Sequence, residues 1–248
     1  MFVRILAFII ILPVLSGANM NNMAKLTFSL LVSLLLVSSG NIAEVSYLNT
    51  PLGYALLILQ EFFTGFILGF MAFIAFNLVF FAGQLLDFQI GFSMVSVFDP
   101  ITQVQVPIIG NLYFMIICAM LVQTGGFHKL LAVIFYSYEA LPIGKAEILQ
   151  NPALMNDLLG LMTNFLIVAF QTAMPILGAI LIVDVAMGLL VKAVPQMNVF
   201  VVGMPIKLLV GLLLLILTAP ILSETYNAVF EMAYSAVIAA LKGLAQSG

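Results

Sequence analysis

Charge is scarce in this 248-residue chain: seven Lys and Arg and ten Asp and Glu make up 7% of it, against roughly 25% in an ordinary soluble domain. So few charges cannot coat a water-soluble globule of this size without leaving apolar patches beyond what monomers tolerate. The single cysteine, Cys118, sits in the apolar run YFMIICAML. An intrachain disulfide and a CxxC zinc or redox framework are therefore excluded, and Cys118 reads as a small buried hydrophobe. His128 is the only histidine, which removes HExxH and any site needing two imidazoles. No basic stripe marks a nucleic-acid partner, and the formal charge of −3 is scattered. Neither a P-loop nor a Ser-His-Asp set nor spaced metal ligands are found, so no enzyme, cofactor or metal is expected.

What is there is apolar. Hydrophobic residues make up 64% of the chain, with 21 Phe and 14 Met, and the mean hydropathy is +1.27. Disorder needs the opposite composition. The chain reads as a polytopic membrane protein or a buried assembly subunit, all-α, with helices over roughly 2–16, 25–39, 53–86, 104–123, 128–140, 154–193 and 205–240, the last broken near Pro220. The stretches from Pro51 to Leu86 and from Leu158 to Val194 exceed the ~20 residues of one crossing. Long bent helices among shorter hairpins are expected. The six lysines do not alternate between short loops, so a positive-inside count assigns no threading. No fixed-period repeat or linker divides residues 1–248, which read as a single all-helical domain.

The N-terminus imitates a signal peptide: Arg4, an apolar run from Ile5 to Leu15, then Ser16 and Ala18 spaced for cleavage. The competing reading is an uncleaved first helix that turns at or just after Pro13.

Several residues stand out. Gly65, Gly69 and Gly83 lie along one long helix, where small residues let a second helix approach closely. Glu61, Asp87 and Asp184 flank or interrupt apolar helices, and a charge at mid-membrane costs ~2.5–3.5 kcal/mol on insertion scales. They read either as a proton or cation relay or, better, as structural charges: helix-end caps or partners of lysines. Lys192 suits the negative end of a helix dipole, and Lys207 closes the segment KAVPQMNVFVVGMPIK. Within that segment Pro195, Gln196, Asn198, Phe200, Gly203 and Pro205 are expected to form a tight hairpin that contacts a partner. The stretch GQLLDFQIGFSMVSVFDPITQVQVP, Gly83 to Pro107, breaks two apolar helices at Pro100. Its Phe92, Met94, Val95, Val97 and Phe98 suit a re-entrant or pore-occluding loop as well as a plain surface loop.

Taken in order and spacing, EFFTGFILGF, GQLLDFQIGFSMVSVFDP, GGFHKLL, LPIG and VPQMNVFVVGMPIK resemble the FliR family of flagellar biosynthesis proteins, over about Ile5 to Leu222. Relatives in virulence type III secretion share much of this; the VFVVGMP and loop segments favour the flagellar branch. The resemblance implies a non-enzymatic subunit of the flagellar export gate in the bacterial inner membrane, at the basal body. There it would form a helical hetero-oligomeric complex with FliP- and FliQ-like subunits, beside FlhB- and FlhA-like proteins and membrane lipid, crossed by unfolded flagellar substrates. It further implies a plug loop at about Ile90 to Val106. In it Phe92, Met94, Val97 and Phe98 would obstruct, Gly91 would permit the bend, and Asp99 and Pro100 would fix the turn out. An apolar constriction of this kind excludes ions by dewetting. Family members generally carry an additional stretch ahead of Arg4, so the expected first helix begins part-way. Cleavage after Ala18 would delete a matching segment, which favours the uncleaved helix. The alternative is a secondary transporter of a small solute that uses Glu61 and Asp184 for coupling, against which stands the lack of an inverted repeat.

Overall fold

A computed structural model describes residues 1–12, 15, 21–38, 50–92, 107–145, 152–196 and 198–246. The elements are helices α1 (Phe2–Ile11), α2 (Asn22–Ser38), α3 (Pro51–Ile90), α4 (Ile108–Gln123), α5 (Gly126–Ala140), α6 (Pro152–Ala193), α7 (Val199–Thr218) and α8 (Ile221–Gln246), and no strand occurs among the described residues.

Local chemistry explains most helix ends. Leu12 leaves the helical region (φ −58°, ψ 121°) because it precedes Pro13, so α1 stops at Ile11 rather than running to 16. The Asn21 side chain accepts the Met23 amide at 3.1 Å, and the Thr50 hydroxyl accepts the Gly53 amide at 3.2 Å ahead of Pro51, the favoured first helical residue. Gly91, with φ at 104°, ends α3, and Gly125, with φ at 70°, separates α4 from α5. Only glycine holds such angles without strain.

A second boundary departs from the sequence-based expectation. α7 begins at Val199 rather than 205, so Gly203 and Pro205 belong to a helix, and Pro195 and Gln196 form a turn after α6. In apolar surroundings, breaking the ladder on both sides of Pro205 would strand more backbone groups than the one bond the proline removes. Pro175 is carried inside α6 in the same way. The break near Pro220 falls at Ala219 and Pro220, between α7 and α8.

Contacts gather into two compact units: Met1–Phe76 with Leu121–Asn164 and Phe230–Gly248, and Asn77–Met120 with Phe165–Val229. In the first, α1 packs on α2, and Ile5, Phe8, Leu68, Leu130, Val237 and Leu241 are buried. In the second, Leu78, Leu86, Ile90, Ile117, Ala173 and Ile180 are buried.

Among the described residues, four helices are long and apolar enough to cross a membrane, or up to five if the broken α4–α5 pair is one span. Their coverage is uneven. The apolar window of α3 is 61% buried, that of α6 17% and that of α7 only 11%. Leu181, Ile182, Leu209, Leu213 and Ile216 all stand more than half exposed, which water does not tolerate over such an area.

Candidate functional site

The polar groups of this apolar chain are few, and no buried side-chain nitrogen or oxygen among the described residues lacks a hydrogen bond. In the first unit Arg4 and Glu61 form a closed ion pair, 0% and 1% exposed. The Arg4 Nε and Nη2 donate to the two Glu61 oxygens at 2.9 and 2.8 Å, while Nη1 donates to the carbonyls of Ser137 and Leu141, each at 3.0 Å. The guanidinium lies 4.3 Å from the centre of the Tyr138 ring, whose hydroxyl donates to the Met1 carbonyl at 2.7 Å. The Gly144 amide reaches Glu61 at 3.3 Å. One fork of donors thus ties α1 to α3 and to the end of α5, and bidentate geometry suits Arg rather than Lys.

Gly65 and Gly69 make that approach possible. A Cβ on Gly65 would lie 2.9 Å from the Arg4 Cα, and one on Gly69 would lie 3.2 Å from the Phe8 Cα. Gly83 repeats the device in the second unit: its Cβ would lie 2.6 Å from the Gly110 nitrogen. There α3 and α4 cross with their backbones in contact.

Beside that crossing stands Asp87, 2% exposed. Its carboxylate accepts the amides of Ile109 and Gly110 at 3.0 and 3.1 Å. These are the second and third amides of α4, which a capping side chain just before the helix would ordinarily satisfy. Pro107 occupies that position, and an acid from α3 takes its place. The two ends of the 91–107 segment are thereby held together. Of the residues expected to plug a pore, Gly91 and Phe92 follow α3 directly and are half-buried. Met94, Val97, Phe98, Asp99 and Pro100 lie outside the described residues.

A third cluster joins α3, α6 and α7. Asp184 pairs with the Lys207 ammonium, and the Gln89 amide donates to Asp184 at 3.2 Å. Lys192 stands exposed in the last turn of α6, where a cation suits the helix end. Pro195, Gln196 and Asn198 are exposed at the α6–α7 turn; Gly203 is buried in α7. Phe200 lies in the first turn of α7.

The sequence reading missed Arg4 and Gln89. Arg4 sits where a signal peptide carries its basic residue, and nothing local announces a partner 57 positions away. A lone arginine inside an apolar helix is nonetheless a signal in its own right, because burial obliges it to find an acid. With Glu61 closed by Arg4 and Asp184 engaged by Lys207 and Gln89, neither acid is arranged as an open relay. No cluster of three His, Cys, Asp or Glu side chains that could hold a metal ion occurs among the described residues.

A chain of long apolar helices, with its scarce charges engaged in joining one helix to another, is an all-helical membrane protein. Residues 1–233 match the family described as bacterial export proteins, family 1, and the chain belongs to that family. It is therefore a subunit of a bacterial export apparatus. It is similar to the flagellar biosynthetic protein FliR of Bacillus subtilis, 30% identical over 93% of this chain and 89% of that one. It is also similar to FliR of Escherichia coli, 26% identical over 92% and 88%. The secretion system apparatus protein SsaT of Salmonella typhimurium is 27% identical over 88% of this chain and 85% of its own.

Proposed function

We propose that the chain is a gate subunit of a flagellar type III export channel in the bacterial inner membrane, at the basal body. It assembles there with FliP- and FliQ-like subunits, beside FlhB- and FlhA-like proteins, and unfolded flagellar substrates pass through the complex. The segment between α3 and α4 serves as its apolar plug. The observation that carries this reading is the paired base of that segment: Asp87 and the Gly83–Gly110 crossing hold its two ends side by side. A segment of the composition GFSMVSVFDP leaves and returns at one place. The Phe and Met residues of that sequence suit closing a pore to ions by dewetting while yielding to a passing chain without chemical change. The uncovered apolar faces of α6 and α7 suit neighbouring subunits and lipid. The flagellar assignment draws on the relatives named as flagellar biosynthetic proteins.

The test is ion conductance and flagellar protein secretion in cells whose chain lacks Gly91 to Val97. Raised conductance is expected. Lost assembly with unchanged conductance makes the segment structural, and no change in either ends the proposal.

A further inference from the structure

We propose that the outward face of α8 lines the water-filled passage that an unfolded polypeptide crosses. This rests on the export-channel reading and names one wall of that channel. α8 is a single helix of 26 residues, about 39 Å long at 1.5 Å per residue. Its inward side is apolar: Leu222, Val229, Ala233, Val237 and Leu241 are buried. Its outward side carries Glu224, Asn227, Glu231, Ser235 and Lys242, all exposed. Steps of three, four, four and seven residues keep these five on one stripe along the helix. α6 and α7 do the opposite, turning Leu181, Ile182, Leu213 and Ile216 outward. Of the large hydrophobic side chains exposed among the described residues, α8 supplies only Ile221 and Tyr234.

An apolar face packed inward and a charged face turned outward belong to a helix in contact with water. Yet α8 is also long and apolar enough to cross a membrane. Facing lipid, Glu224 and Glu231 would each carry the cost of a charge in hydrocarbon. Their own chain does not relieve that cost. Neither carboxylate makes a hydrogen bond or ion pair among the described residues, while Arg4 is closed by Glu61 and Lys207 is engaged by Asp184. Lys242 lies eleven residues beyond Glu231, about 16 Å along the helix. A stripe that carries both signs is suited to water rather than to a partner of one charge. At membrane depth a polar surface of this kind is tolerated where it lines a water-filled cavity. An unfolded chain in transit brings apolar side chains that would adhere to a wall of leucines, whereas a hydrated wall offers them no burial. The two acids also focus a negative potential, so small cations gather beside them.

The test uses the full-length protein in its assembled export apparatus, with Cys118→Ser removing the native thiol and Asn227→Cys placing one between the two acids. Water-soluble cationic and anionic thiosulfonates are the probes. The thiol is expected to react several-fold faster with the cationic reagent, and Glu224→Gln with Glu231→Gln is expected to abolish that preference. A flagellar substrate fused to a domain that cannot unfold, and so arrested in transit, is expected to slow the reaction several-fold. Leu213→Cys, on the exposed face of α7, is expected to stay unreactive throughout. Ser235→Cys, four residues past Glu231, repeats the measurement on the same face of α8. Thiols unreactive at both α8 positions mean that lipid or protein covers the face. Reactive thiols that the arrested substrate does not protect mean open water outside the passage. Either result overturns the inference, as does equal reactivity in Leu213→Cys or a charge preference that survives the loss of both acids. A strain lacking the chain that still secretes flagellar proteins fails the export-channel reading itself; unprotected thiols in a secreting strain fail this inference alone.

Discussion

Removing one partner of the Arg4–Glu61 pair is the most severe single perturbation the described residues offer. In Glu61→Gln the guanidinium stays fully buried and keeps the Ser137 and Leu141 carbonyls, but loses the carboxylate that takes two of its donors. Stripping one member from a buried pair costs about 3–5 kcal/mol, because the remaining charge is left without compensation. Total stabilities are about 5–15 kcal/mol, so this single change removes a large share. At ~2–4 °C per kcal/mol for a chain of this size, thermal unfolding in detergent should shift downward by roughly 6–20 °C. Arg4→Lys should fall in between, since an ammonium cannot present the two parallel bonds that Nε and Nη2 make. Arg4→Met combined with Glu61→Leu should recover part of the loss, giving a favourable coupling of at least about 1 kcal/mol in the double-mutant cycle. If Glu61→Gln and Arg4→Met each cost under ~1 kcal/mol, as an exposed pair would, the closed arrangement described for α1, α3 and α5 is wrong.

Gly65→Ala should destabilise by about 1–3 kcal/mol, because its Cβ meets the Arg4 backbone. Gly178→Ala, where nothing lies within 4 Å, should be neutral or stabilising by up to ~1 kcal/mol in the same melts. Asp87→Ala leaves the Ile109 and Gly110 amides without their acceptor and should cost about 1–2 kcal/mol, with Asp87→Asn recovering part of it. A melt of Asp87→Ala unchanged from wild type would mean that another group caps α4. Gly125→Ala forces a Cβ into a left-handed turn and should lower stability by about 1–2 kcal/mol.

Helix content was legible because apolar runs bounded by Pro, Gly and Asn leave few alternatives, and the long helices α3 and α6 follow from the long apolar stretches Pro51 to Leu86 and Leu158 to Val194. The start of α7 was not legible, because Pro205 reads locally as a boundary while the apolar surroundings favour an unbroken ladder. Asp87 was readable as a helix-end cap, but the helix it caps is a different one, and only the crossing at Gly83 and Gly110 reveals that. Arg4 with Glu61, and Gln89 with Asp184, depend on which helices become neighbours, and no local pattern encodes that.

The bareness of α7, with 11% of its apolar window covered by its own chain, bears on how the cell counts these subunits. A newly made copy without partners would present that face, and the partly exposed Asp184–Lys207 pair near it, to lipid. The desolvation of an ion pair toward hydrocarbon makes that state costly. If subunits of the proposed export channel cover that face, an orphan copy carries a surface that assembly would hide, and its lifetime in the membrane should track the supply of those subunits.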